Sequence, residues 1–119
     1  MGRKGQGGNV DTPVRIMWSF TLGNPWRLTP KEERDRLLEL MRQDEIKWKA
    51  AGVKLLGTFT AGGEGGNGYG HTWLLEAPNW DVAVGVNTDI ALGQWVKHIE
   101  KYAIWFGWTL GVEDAWAKL

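Results

Sequence analysis

The sequence predicts an α+β fold with element order β-α-β-β-α-β, and three observations carry it. Four short segments alternate or run apolar at the period of a strand, two longer ones repeat at the period of a helix, and no internal repeat or linker divides them. The chain has 119 residues, 43% of them hydrophobic, which is enough for one domain with a real core. We expect a disordered tail over residues 1–12 and a single domain over residues 13–119.

The first strand is VRIMWSFTL, Val14 to Leu22, with Val14, Ile16, Trp18, Phe20 and Leu22 on one face. Met17 leaves the other face only partly polar, so the strand should be covered on both sides. Gly23-Asn24-Pro25 reads as a turn. Thr29-Pro30-Lys31-Glu32 then has the form of a capping box with proline at the first helical position. The helix that follows carries Leu37, Leu38, Met41 and Trp48 at helical spacing, has Glu32/Arg36 and Glu45/Lys49 as i,i+4 pairs, and meets Gly52 as its stop.

Val53 to Thr60 reads as the second strand and His71 to Ala77, closed by Pro78, as the third, the two forming a hairpin across a glycine-rich crossover. Between Asn79 and Tyr102 the segment DVAVGV is compatible with a strand, but Ala91, Trp95, His98 and Tyr102 have helical spacing. We expect a helix broken near Gly85-Val86-Asn87. Ala103 to Leu110 is the fourth strand, apolar on both faces. This order is the ferredoxin-like split βαβ arrangement, a four-stranded antiparallel sheet with two helices on one face. Its other face would be left open, yet strands one and four carry bulky apolar residues there, which calls for a partner sheet.

Composition excludes several functions. With 14 basic and 14 acidic residues the formal charge is zero, so no global field draws the chain to nucleic acid or an anionic membrane. Cysteine is absent, which removes disulfides, a thiolate nucleophile and cysteine metal sites, and fits a reducing, cytoplasmic address. The apolar stretch Ala103 to Leu110 is far short of the ~20 residues of a membrane span, and Gln6 departs from a myristoylation signal. Nine tryptophans are the compositional oddity and the best functional clue, because each large ring needs a core, an interface or a pocket.

Gly63-Glu64-Gly65-Gly66-Asn67-Gly68 fits G-x-G-x-x-G, but a dinucleotide cradle needs a helix after the glycines, and here a strand follows. Asn67 to Leu74 partly resembles the octapeptide of the RNA-recognition motif: Gly68, Tyr69 and Gly70 match, while Asn67, His71 and Leu74 stand where a basic residue and two aromatics belong. Nucleic acid is therefore not the expected partner.

The segments GVKLLGTF, Gly68-Tyr69-Gly70, HTWLLEAPN and the tryptophan-bearing, interrupted second helix resemble the dimeric α/β barrel superfamily over roughly Val14 to Leu110. The resemblance implies a homodimer packed sheet to sheet, with a hydrophobic ligand held between helices and sheet. Its members include cofactor-free monooxygenases of antibiotic biosynthesis, haem-degrading monooxygenases, muconolactone isomerases, polyketide cyclases and stress-induced barrels. Haem-degrading members use an Asn on strand one with a Trp and a His on helix two. Trp95 and His98 are present, but strand one has no Asn. Tyr102 and His98 approximate a cyclase acid and base without standing at the matching positions.

His98 flanks the stripe Leu92, Trp95, Ile99 and Tyr102, and is either a base facing a pocket or a helix-flank residue making one hydrogen bond; His71 is either a second base or a polar strand end. No dense ligand spacing suggests a metal. Glu76, on the face opposite His71, has Arg15 as its obvious partner. The expected pocket is formed by Trp18, Trp73, Trp95, Tyr69 and Tyr102; for any one of Trp18, Trp48, Trp73, Trp95, Trp105 and Trp108 core or dimer interface is the alternative, with at least two of the six lining a cavity, and Trp26, Trp80 and Trp116 stand on loops or ends. The expected function is a homodimer binding a small hydrophobic, aromatic molecule without a cofactor, either as a cofactor-independent monooxygenase or isomerase with His98 or His71 moving a proton, or as a non-catalytic dimer. An RNA-binding module is the third reading.

Overall fold

The computed structural model describes residues 12–60 and 69–119. Most of the expected tail and the glycine pattern at residues 63–68 thus lie outside the described residues. The elements are β1 (Val14–Thr21), a short α1 (Gly23–Leu28), α2 (Lys31–Ala50), β2 (Lys54–Thr60), β3 (His71–Ala77), α3 (Trp80–Ala91), a 3-10 turn (Gln94–His98), β4 (Lys101–Trp108) and α4 (Val112–Ala117). The sheet is antiparallel in the order β2-β3-β1-β4, which is the ferredoxin-like topology.

Register explains where the core sits. Opposite Val14, Ile16, Trp18 and Phe20 of β1 stand Ala77, Leu75, Trp73 and His71 of β3, and on the other side Trp108, Phe106, Ile104 and Tyr102 of β4. Because side chains alternate across a strand, these twelve positions share the helix-covered face. The four residues of β1 are all buried, and α2 and α3 add Leu37, Trp48, Ala83, Val86 and Ile90 to the same cluster.

Several element boundaries differ from the sequence reading. Thr29 does not cap α2: its hydroxyl donates to the Pro25 carbonyl at 2.7 Å, and the N-cap position falls to Pro30 without a side-chain bond. The bond holds the Thr29 side chain toward α1, a helix read as a turn in the sequence, and away from the first N–H groups of α2. Arg36 pairs with Glu33 rather than Glu32, while Glu45 and Lys49 pair at 3.0 Å. Gly52 does end α2, at a φ of +95°; its N–H bonds to the Lys49 carbonyl and that of Val53 to the Trp48 carbonyl, a Schellman closure that glycine enters without strain.

Helix α3 runs unbroken through Gly85, and DVAVGV is helical. Asn79 starts it by accepting the Val82 N–H at 3.0 Å, and Ala83, Val86 and Ile90 then fall on one buried stripe. The break comes at Leu92 and Gly93, so Trp95 and His98 ride on the 3-10 turn and Tyr102 on β4. Both β4 and β1 end earlier than the apolar alternation suggested.

Candidate functional site

The two helices cover the sheet unequally. Helix α3 approaches β1, β3 and β4 closely, whereas α2 makes its main backbone approach to the 3-10 turn. Side-chain bonds fasten α2 near both ends. Toward its N-terminus the Arg36 guanidinium donates to Gln94 at 2.8 Å, and His98 lies 3.2 Å from the Thr29 hydroxyl and 3.9 Å from the Glu33 carboxylate. Toward its C-terminus the Trp48 indole N–H donates to Asp89 at 2.9 Å, and Lys47 pairs with the same carboxylate at 3.0 Å. Between these fastenings a cavity of about 250 Å³ opens below the helix.

Four indoles enclose it: Trp18 from β1, Trp73 from β3, Trp48 from α2 and Trp95 from the 3-10 turn. Trp18 is the hub, with its ring centroid 5.2 Å from Trp95, 5.4 Å from Trp73 and 6.2 Å from Trp48. The three neighbours are inclined to it by 74°, 57° and 84°, the tilted and edge-to-face geometries that aromatic quadrupoles favour. Trp95 owes its place to Gly93, where a Cβ would meet the Asp89 carbonyl at 2.9 Å and the Trp95 ring at 3.0 Å. Ile90, Leu38 and Met41 complete the apolar wall.

The charged side chains of the lining, Arg42, Asp44 and Glu45, all come from α2, and the buried Trp18 indole N–H has no hydrogen-bond partner among the described residues. Arg42 is paired with Glu39 and Glu45 with Lys49, while Asp44 has no hydrogen bond or ion pair among the described residues. Burial raises the Asp44 carboxyl above its ordinary range, the nearby Asp89 carboxylate adds to the rise, and Lys47 opposes it. At the other end of α2, the hydrogen bond from Arg36 holds the Glu33 carboxyl below its ordinary range, helped by the charges of Arg36 and His98.

Of the residues expected in the pocket, Trp18, Trp73 and Trp95 come together around this cavity. Tyr102 packs against the core from β4, and Tyr69 lies beside the Lys101 ammonium, 4.8 Å from its ring centroid, at the end of the sheet. His98 faces Thr29 and Glu33. His71 stacks on Phe20, with centroids 5.1 Å apart, and its Nδ1 lies 3.4 Å from the Thr60 hydroxyl. The two histidines thus have different partners, and neither lines the cavity. Sequence reasoning counted Trp48 among six candidate rings without naming it in the pocket, and it missed the carboxylate rim. Their signal lay in the spacing of Met41, Asp44, Glu45 and Trp48, which puts two acids on the helix face that a fully packed helix would fill with apolar side chains.

The opposite face of the sheet carries Arg15, Met17, Ser19, Thr72, Leu74, Glu76 and Trp105. Arg15 and Glu76 stand in register and pair at 2.8 Å. Ser19 and Thr72 share a buried hydroxyl bond at 2.9 Å. Leu56 and Trp105, 45% and 50% exposed, line a shallow depression, and Phe59 on β2 is 56% exposed. Trp80, expected on a loop, starts α3 and stacks on Trp108 with centroids 4.5 Å apart. Among the described residues no helix is long and apolar enough to cross a membrane, and no group of three or more acids and histidines could hold a metal ion.

No family model matches the chain, and no curated protein matches it. Solved structures do. A mutant chlorite dismutase from Candidatus Nitrospira defluvii superposes with a TM-score of 0.71 at 13% identity, over 94% of this chain and 46% of that one. The chain thus spans about half the length of that enzyme. A Rhodopseudomonas palustris protein of unknown function matches at TM-score 0.60 and 14% identity, over 91% of this chain and 90% of its own. A dabb family protein with a ferredoxin-like fold from Mesorhizobium loti matches at 0.52 and 20% identity, over 84% of this chain and 99% of its own. A dimeric protein of unknown function from Bacteroides fragilis, also ferredoxin-like, matches at 0.51 and 16% identity, over 82% of this chain and 96% of its own. At such identities the likeness establishes the fold: this chain has the ferredoxin-like fold that these proteins share.

Proposed function

We propose that the protein is a homodimer, assembled through the open face of its sheet, whose protomers each bind a small, largely apolar ligand in the tryptophan-lined cavity under α2. The observation that carries this reading is the hollow itself. Four indoles from four separate elements converge on a concave, mostly apolar pocket with a few polar groups at its edge, the form that small-molecule sites commonly take. At about 250 Å³ the cavity is at or below the small end of ligand sites, which run from roughly 300 Å³. The resemblance to dimeric α/β barrels supports the same placement of ligand, between helix and sheet.

The reading is one of binding before chemistry. Both histidines are engaged elsewhere, by Thr29 and Glu33 in one case and by Phe20 and Thr60 in the other. The monooxygenase or isomerase alternative would have to rest on the rim carboxylates instead.

Two measurements test the proposal. Indole, phenols and quinones are titrated while tryptophan fluorescence is followed. At least one is expected to give saturable quenching that Met41→Trp, which fills the hollow, removes; a panel with no saturable response would sink the ligand reading. Self-association rests on the exposed Leu56, Phe59 and Trp105 and on the dimeric state of a similarly folded protein. Sedimentation should give a dimer that Trp105→Glu converts to a folded monomer, since two charges would then face each other across an apolar contact. A monomeric wild type would refute the dimer and leave the cavity to be judged by the titration.

A further inference from the structure

The shape and charge of the cavity narrow its ligand beyond apolar character. We propose that it takes a small organic ammonium ion, its methylated or alkylated head held among the indoles and its charge balanced by Asp44. This rests on the cavity's being a ligand site, as argued above.

The shape speaks for a rounded head. A planar ring is best gripped between parallel rings, yet the hub Trp18 is inclined by 57°, 74° and 84° to the three other indoles of the lining. The two stacked aromatic pairs, Trp80 with Trp108 and Phe20 with His71, are not cavity pairs. Aromatic faces carry negative charge density and attract a positive group, most strongly in tryptophan and most of all where water is excluded.

The charge speaks for a cation. Three ionisable residues line the cavity, Arg42, Asp44 and Glu45, for a formal sum of one negative charge. Glu39 already engages Arg42, and Lys49 engages Glu45. Asp44 alone has no partner among the described residues, and the groups that bear on it are Lys47 on its own helix and Asp89 on α3. Lys47 is committed to Asp89 at 3.0 Å. An unpaired, partly buried carboxylate beside a second carboxylate is an unfavourable arrangement that a bound cation would relieve. Wholly neutral ligands leave it as it is.

The test uses the full chain and a pair of probes of nearly equal shape: choline, and its neutral carbon analogue 3,3-dimethylbutan-1-ol. Tryptophan quenching should give choline a dissociation constant about tenfold or more below that of the alcohol, the gain expected of a partly desolvated cation-π site with a carboxylate. Asp44→Asn should weaken choline about tenfold and leave the alcohol unchanged, whereas Asp44→Glu should keep most of the preference. Equal binding of the two probes, or a choline affinity indifferent to Asp44→Asn, overturns the proposal. If indole or a phenol saturates the cavity and choline does not, the ammonium proposal fails alone. If no probe of either kind binds, the ligand reading fails with it.

Discussion

Helix α3 lays Ala83, Val86 and Ile90 directly on the sheet, whereas α2, with 20 residues against the 12 of α3, buries only Leu37 and Trp48. The difference follows from side-chain size and charge. Small and branched residues on the α3 stripe let its backbone approach the strands closely, and ridges then interlock with the sheet over its whole length. On α2 the stripe is bulky near its ends and acidic between them, so the helix bridges from Leu37 to Trp48 and spans the hollow. One sheet thus carries a packed half and an open half. The open half is the site because the side-chain bonds of α2 to the rest of the fold lie toward its ends, through Arg36 with Gln94 and Trp48 with Asp89, and Met41 is what its middle adds to the core.

Enlarging a side chain on each helix gives the largest contrast. Ala83→Leu forces a branched chain into a contact with no spare volume, and overpacking of this kind costs about 1–3 kcal/mol. Ala83 is 0% exposed, so relief is not available by turning outward. Met41→Trp, with added bulk of the same order beside the cavity, should leave stability within about 0.5 kcal/mol of wild type, because the added ring enters the hollow. Urea denaturation of the two variants would compare them directly. Equal losses would mean that α2 is packed as tightly as α3, and the cavity would cease to be a feature of the folded protein.

How much of this was legible in the sequence depended on period and on competition. The strand alternation at Val14, Ile16, Trp18 and Phe20 fixed a covered face, and the register with β3 and β4 followed it. Gly52 announced the end of α2 through its backbone requirement. The break of α3 was misplaced because Gly85 looked like an interruption, although helix interiors tolerate one glycine at a penalty of about 1 kcal/mol when the buried stripe on either side continues. Three tryptophans of the cavity were legible as large rings on the covered face. Trp48 was legible as a ring but not as a wall, since sequence spacing says which way a side chain points and not how far its helix stands from the sheet. That distance is set by the tertiary bonds of Arg36, Trp48 and Lys47, whose partners are remote in the chain.

A smaller contrast lies in how the two helices begin. Asn79 is extended, with φ −160° and ψ 176°, and its side chain accepts the Val82 N–H, so one orphan donor of α3 is met by a cap. Thr29, the residue that would cap α2, gives its hydroxyl to Pro25, and the first turn of α2 relies on the acids Glu32 and Glu33 facing the positive end of the helix. Asn79→Ala should therefore cost about 1 kcal/mol in the same urea measurement, and Asn79→Asp should restore it, because a carboxylate accepts the same bond and adds a favourable charge at the helix start. The restoration by aspartate carries the argument. Loss in both variants would trace the effect to packing of the Asn79 amide against its surroundings, and the tight seating of α3 would then owe nothing to its cap.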